Sequence, residues 1–199
     1  MIRAGLVRST PSNAGGHAVL IAAGLTSAIA LRTVLGGSDP ATSTPAAAVF
    51  VAALAALALA AGVRIARPRP FALAVGVVGG VVLVAGSLFG RPVVAWHPII
   101  GVAQLLLWTP LVAAVAAAEE AVIRGALFHA VEGAWGVFAA VAVTTAAFAL
   151  IHVPLYGLGA LPLDLAAGLW LGGLRVLTGG IAAPIAAHVV ADLGAGWLG

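Results

Sequence analysis

The chain alternates between long apolar runs and short breaks rich in glycine, proline and arginine. A membrane-spanning helix needs about 20 predominantly apolar residues, and seven stretches reach or approach that length. They cover residues 17–35, 45–63, 71–89, 98–131, 134–152, 163–177 and 181–198. The fourth stretch is too long for one straight span, and Pro110 within it predicts a kink or a break. The pattern predicts an all-α polytopic bundle of about seven transmembrane helices, or eight segments if the fourth stretch is broken.

Small residues recur at a spacing of four within two of these stretches. Gly76 and Gly80 form one such pair, and Gly168 and Gly172 form the other. This spacing allows two helix backbones to approach closely in lipid. We interpret both pairs as packing positions.

The composition agrees with a protein that has lipid as its solvent. Hydrophobic residues make up 63% of the 199 residues and charged residues only 8%, whereas soluble domains carry about 25% charged residues. The absence of cysteine excludes disulfides, thiolate nucleophiles and cysteine metal sites. All basic residues are arginines at the ends of apolar runs rather than in one patch, which argues against nucleic acid as a partner.

The arginines also predict an orientation in the membrane. Those before the first span, between the second and third, and at the end of the sixth share one side if the spans alternate: Arg3, Arg8, Arg64, Arg67, Arg69 and Arg175. The positive-inside rule then places the N-terminus in the cytoplasm, although Arg32 and Arg91 oppose this. We expect a multi-pass protein of a bacterial cytoplasmic membrane, and we expect the first apolar run, which is long for a secretory signal, to be a retained span.

Ionisable residues inside the apolar runs are the feature that points to chemistry. A central Asp or Arg costs about 2.5 to 3.5 kcal/mol on insertion scales, and such residues usually face a bundle interior or a wet cavity. Glu120 and Arg124 are four residues apart, so they can pair on one helix face. Glu119 points about 100° away from Glu120, and it needs a partner or water of its own.

Two later spans contribute further polar residues. His152 lies four residues after Phe148, and His188 lies four residues before Asp192, where the carboxylate can orient the imidazole. Each residue alone is typical of a packed core or an interface. Three helices that each carry groups which lipid rejects indicate one shared site. Polar residues near span ends are interpreted as interface residues: His17, His97, His129, Glu132 and Asp164.

Three segments resemble the ordered motifs E-E-x-x-x-R, F-x-x-x-H and H-x-x-x-N/D of the CPBP family, at residues 119–124, 148–152 and 188–192. This family comprises the CAAX proteases and bacteriocin-processing enzymes, and it is also called the Abi family. The resemblance covers about residues 100–199. We therefore divide the chain into N-terminal transmembrane helices of about three spans, residues 1–97, and a CPBP-like catalytic core of about four spans, residues 98–199.

The resemblance implies an intramembrane endopeptidase that hydrolyses a peptide bond in a polar cavity between helices. Glu119 would activate the attacking water with the aid of His152, and His188 and Asp192 would stabilise the oxyanion. A carboxylate base with hydrogen-bond donors at the oxyanion is sufficient for this chemistry.

The remaining motif residues have structural roles in this scheme. Glu120 and Arg124 would hold the geometry and charge of the site, and Phe148 would support it. Two positions differ from the commonest family pattern: Ile123 stands where Phe is frequent, and Asp192 stands where the eukaryotic prenyl-protein enzymes have Asn. The second difference, with the bacterial composition, favours a membrane-associated peptide or protein over a prenylated substrate.

The need for a metal is an open alternative. Family members have been described both as glutamate-type proteases and as metalloproteases. Glu119, His152 and His188 would be the ligands of a zinc ion, but the sequence lacks H-E-x-x-H. We favour a site without a cofactor.

Two other functional classes fit intramembrane Glu, His and Asp residues. A transporter or proton-relay protein uses such chains, although the two halves of this sequence show no inverted repeat. A non-catalytic scaffold or immunity protein with the same fold is the second alternative.

Overall fold

The computed structural model describes residues 11–64, 67–89 and 102–198, and all secondary structure in these ranges is helical. The helices are α1 (Pro11–Gly36), α2 (Thr44–Ala60), α3 (Pro70–Phe89), α4 (Val102–Glu120), α5 (Phe128–Tyr156), α6 (Leu161–Thr178) and α7 (Ala182–Leu198). A π-helical segment, Ala121–Leu127, joins α4 to α5, and a 3₁₀ turn, Leu158–Ala160, precedes α6. The predicted all-α class is confirmed. Arg3, Arg8, Arg91 and His97 lie outside the described residues.

Four helical segments are long and apolar enough to cross a membrane: Asn13–Gly36, Pro70–Ser87, Trp108–Tyr156 and Leu158–Thr178. Thr44–Ala60 and Ala182–Gly196 are apolar but shorter. The 49 residues of the third segment would extend about 74 Å as one straight helix, more than twice the thickness of the hydrocarbon core. The chain is an integral membrane protein, and the total of about seven spans stays a prediction.

The long third segment is interrupted at Gly136 and not at Pro110. Gly136 has φ 82° and ψ 174°, which kinks the chain within α5, and a residue without Cβ adopts this conformation at little cost. α4 continues through Pro110, so the prediction of a break there is wrong. Neighbouring groups in a membrane bundle can satisfy the backbone carbonyl that a proline leaves unpaired.

The π-helical segment lies at the centre of the bundle. α1, α2, α4 and α5 all pack against it, while α7 packs against α3 and α4, and α6 packs against α5. Val122, Ile123 and Leu127 of this segment are at most 1% exposed. On the N-terminal helices, Phe50 and Leu54 are equally buried in the same core. The first half of the chain therefore shares one core with the motif-bearing half.

Both glycine pairs lie where two helices approach closely. A Cβ on Gly76 would lie 2.5 Å from the Ala183 carbonyl oxygen, and one on Gly80 would lie 2.5 Å from the Cβ of Val190. A Cβ on Gly168 would lie 3.2 Å from the backbone of Thr145 in α5. The predicted packing role of these glycines is confirmed.

We expect Gly80→Ala to lower the free energy of unfolding by about 1 to 3 kcal/mol relative to Gly86→Ala, because overpacking forces α3 away from α7. Gly86 is the matched control, since it lies on the same helix and a Cβ there meets nothing within 4 Å. Both changes alter helix propensity equally. Unfolding of the two purified variants in detergent measures the difference, and equal stabilities would contradict the close approach of α3 to α7.

Candidate active site

The π-helical segment begins directly after Glu119 and Glu120. Single π-helical turns are rare and occur frequently at functional sites. Here the carbonyl oxygen of Arg124 accepts a hydrogen bond from Nε of Arg175 on α6, at 3.1 Å. The guanidinium of Arg175 also lies 4.9 Å from the centre of the Phe128 ring. The sequence predicted Arg175 only as a charge at a span end, whereas in the structure it links α6 to the π-helical segment.

Glu120 and Arg124 form the predicted pair on one helix face. Nη1 of Arg124 donates to Oε1 of Glu120 at 2.7 Å, and both side chains are completely buried. Nη2 of Arg124 donates to the Gly168 carbonyl on α6 at 3.1 Å, and the guanidinium carbon lies 4.6 Å from the centre of the Phe148 ring. A buried charge is tolerated when it is paired and hydrogen-bonded in this way.

His188 of α7 lies among three carboxyl groups. Its Nδ1 is 3.1 Å from Oε1 of Glu120, while its Nε2 is 3.5 Å from Asp192 and 3.9 Å from Glu119. Because Glu120 is paired with Arg124 as a carboxylate, it accepts, so Nδ1–H of His188 donates to it. Nε2 of His188 consequently faces Glu119 and Asp192.

His152 of α5 is held by its own helix. Its Nδ1 lies 2.7 Å from the Phe148 carbonyl oxygen, which can only accept, so Nδ1–H donates and Nε2 is left for another partner. The ring lies 4.5 Å from that of Phe148 and 5.7 Å from that of Tyr156. Phe148 also meets the His188 ring edge-on at 5.2 Å. This aromatic column fixes the positions of both imidazoles.

The structure brings all six predicted site residues, with Phe148, into one cluster. Glu119, His152 and His188 are buried, and each offers a ligand atom within 4.8 Å of the others. Asp192 contacts the imidazole of His188, and Glu120, which is paired with Arg124, contacts the same imidazole. The interface residues His17, His129 and Glu132 are exposed.

Sequence reasoning missed two residues near this cluster. Arg32, counted as an orientation signal, is 5% exposed, and its positive charge lowers the electrostatic cost of a negative charge on Glu119. Asp164 was interpreted as an interface residue, but His152 is the ionisable group with which it has its strongest electrostatic interaction. Its Oδ2 is buried with no hydrogen-bond partner among the described residues. Its position in the first turn of α6, just after the short connection from the His152 helix, was the available signal.

Replacing Arg124 by Met should destabilise the protein by about 3 to 5 kcal/mol, because it leaves the buried Glu120 carboxylate without its cation. The double variant Glu120→Gln/Arg124→Met should lose less than the sum of the two single changes. Unfolding of the four proteins in detergent gives the coupling energy, which we expect to exceed about 1 kcal/mol. Additive single effects would contradict a direct ion pair.

The comparison with known proteins identifies the C-terminal half of the chain. A family model described as "Type II CAAX prenyl endopeptidase Rce1-like" matches residues 101–194, a range that contains all three motifs. No curated protein and no solved structure matches the chain significantly. The match of residues 101–194 to this model confirms the predicted resemblance, because it is consistent with a protease of the CPBP family.

Proposed function

We propose that this protein is an intramembrane endopeptidase in which Glu119 activates water for attack on a peptide bond. The observation that carries this proposal is the buried triad of Glu119, His152 and His188, whose polar atoms converge within 4.8 Å. The match of residues 101–194 to the model of a protease family supports the same chemistry. The substrate is a membrane-associated peptide or protein.

Glu119 is the base because its carboxylate is uncommitted. Glu120 is engaged by Arg124 and His188 through hydrogen bonds, whereas Glu119 approaches Nε2 of His188 only to 3.9 Å. That distance is too long for a direct hydrogen bond, so Glu119 is free to bind the attacking water. Glu119 takes a proton from this water as its oxygen attacks the carbonyl carbon, and it returns the proton to the leaving amine when the C–N bond breaks. Nε2 of His152 orients the water.

His188 stabilises the oxyanion that develops on the substrate. A protonated imidazole has two N–H groups: Nδ1–H donates to Glu120, and Nε2–H points to the reacting side. Asp192, 3.5 Å from Nε2, balances the positive charge. Donors held in place before the reaction stabilise such charge without reorganisation. Glu120 and Arg124 provide that fixed frame.

Zinc is the alternative to the protonated His188. Two imidazoles and one carboxylate are a catalytic zinc ligand set, and the residues fit it, since Nδ1 of each histidine is bound to an oxygen while Nε2 is directed inward. A bound zinc would supply a Lewis acid and an activated water. We favour the metal-free mechanism because of the charges around His188. Its ring lies among three carboxyl groups, and Arg124 forms an ion pair with one of them. The excess of negative charge stabilises a protonated His188, which no metal can bind.

The substrate class follows from the chain's departures from its family. The matching model is named for prenyl endopeptidases, but Asp192 adds a negative charge where the eukaryotic members have a neutral amide. Together with the alanine- and glycine-rich composition, in which every basic residue is arginine, this favours a bacterial membrane peptide or bacteriocin-like precursor.

Glu119→Gln should reduce cleavage by a factor of about 100 or more, the usual contribution of a general base. Cells that make equal amounts of the wild-type chain, Glu119→Gln and Glu132→Gln are compared, and new peptide termini in the membrane fraction are catalogued by mass spectrometry. Glu132 is an exposed glutamate and the matched control. Termini that need Glu119 but not Glu132 would name the substrate, and three identical catalogues would favour a scaffold or a transporter.

Purified protein should contain metal well below one ion per chain and should cleave its substrate at an unchanged rate after treatment with a zinc chelator. The reason is that a protonated His188 cannot act as a ligand. Elemental analysis and cleavage assays on the same sample measure both quantities. Loss of activity on chelation, with recovery on addition of zinc, would replace the glutamate mechanism by the metal-dependent one.

A further inference from the structure

The candidate active site is closed toward one end of the bundle. α2 ends and α7 begins at this end of the bundle. Val63, just after α2, and Ile181, just before α7, both pack against Gly125. We call it the arginine end, since Arg64, Arg67, Arg69 and Arg175 lie at or beside it. Side chains at most 1% exposed separate Glu119 from this end: Ile123, Arg124, Leu127 and Phe128. The guanidinium of Arg175 lies 4.9 Å from the centre of the Phe128 ring, so packed side chains fill this side of the site.

Exposure rises in the opposite direction. We call the opposite end, where α1 and α5 finish and α6 begins, the tyrosine end, after Tyr156. One helical turn beyond His152 lies Tyr156, which is 38% exposed. One turn beyond His188 along α7, which runs away from the arginine end, lies Asp192 with 34% of its side chain exposed. The site is therefore less covered by protein side chains on the side of Asp192 and Tyr156.

Polar groups continue from the site toward the tyrosine end. The buried Oδ2 of Asp164 has no hydrogen-bond partner among the described residues, and buried polar atoms normally have a protein or water partner. Arg32 lies near the end of α1, at the same end of the bundle. Hydrolysis consumes water, and these groups offer water hydrogen-bond partners on the side of the site that the packed layer does not cover.

The direction of the membrane follows from the arginines once Arg32 is understood. Its Nε and Nη2 donate to the Pro40 and Ala41 carbonyls, both at 3.3 Å, and its guanidinium lies over the Phe50 ring. Packing and hydrogen bonding thus explain its position, which leaves Arg91, outside the described residues, as the one arginine that opposes the others. The exposed arginines of the described chain are Arg64, Arg67 and Arg69, all at the arginine end, which the positive-inside rule assigns to the cytoplasm.

We infer that the active site opens at the tyrosine end to the face of the membrane opposite the cytoplasm, and that its substrate is a peptide segment presented at that extracytoplasmic face. The identity of the substrate as a peptide rests on the proposed function. The direction of access rests only on burial, exposure and charge.

The absence of cysteine makes this direction measurable, because any introduced cysteine is the single thiol. Four variants report on four places: Leu158→Cys on the exposed turn at the tyrosine end, Arg67→Cys at the arginine end, Asp192→Cys in the site, and Ala187→Cys in the core of α7. Spheroplasts are treated with a small cationic, membrane-impermeant thiosulfonate. Thiols that remain free are then counted, after denaturation, by the gel shift of a polymer-linked maleimide.

We expect Leu158→Cys and Asp192→Cys to be blocked in intact spheroplasts and to lose the gel shift. Arg67→Cys should be blocked only after permeabilisation, and Ala187→Cys, fully buried, should keep its shift in both conditions. If Asp192→Cys fails to accumulate in the membrane, Ala191→Cys, its partly exposed neighbour, takes its place.

Two results would overturn the inference. Protection of Leu158→Cys with reaction of Arg67→Cys in intact spheroplasts would reverse the orientation. Reaction of Asp192→Cys only after permeabilisation, or not at all, would show that the site does not open at the tyrosine end. The labelling needs no cleavage, so an inactive protein with the expected pattern would refute the peptidase alone, and an active one with the opposite pattern would refute the direction alone.

Discussion

The buried ion pair between Glu120 and Arg124 is the interaction on which the rest of the site depends. An unpaired guanidinium at this depth would cost several kcal/mol, and the partner carboxylate at 2.7 Å offsets that cost. Because Arg124 also donates to Gly168, the pair ties the wide helical turn to α6, and because Glu120 also accepts from His188, it ties the same turn to α7. One carboxylate thereby sets the relative positions of three helices and the orientation of one imidazole.

The same interaction separates the roles of two adjacent, chemically identical residues. Arg124 and His188 both donate to Oε1 of Glu120, while its Oε2 is buried without a hydrogen-bond partner among the described residues. Glu119 is turned about 100° around the helix, and it approaches His188 only to 3.9 Å, beyond the distance of a direct hydrogen bond. Burial excludes bulk solvent from both. The two glutamates therefore differ in role because their environments differ: Glu120 holds the geometry of the site, and Glu119 is available as a base.

The sequence could predict those contacts of the site that lie within a single helix. The contacts within 119–124, 148–152 and 188–192 follow from the fixed neighbourhood of residues four apart, and the structure contains them. The hydrogen bond from His188 to Glu120 joins residues 68 positions apart, so no local pattern predicts it. The π-helical turn that makes room for it also depends on tertiary packing, through α6. Similarly, the length of the apolar runs predicted the helices, but whether the chain bends at a proline or at a glycine depends on tertiary neighbours that satisfy the backbone.

Arg32 shows that membrane orientation cannot be inferred from arginine positions without knowing how each arginine is packed. The positive-inside rule treats each arginine as a signal about the nearest aqueous phase, but a guanidinium bound to two loop carbonyls and an aromatic ring is held by the fold. Once it is removed from the count, the exposed arginines and the closed side of the site lie at the same end of the bundle. The opposite end carries the unpaired carboxylate oxygen of Asp164 and the exposed face of Asp192. A hydrolytic site needs water from one side and insulation from the other, and the distribution of buried and exposed polar groups provides both along one axis.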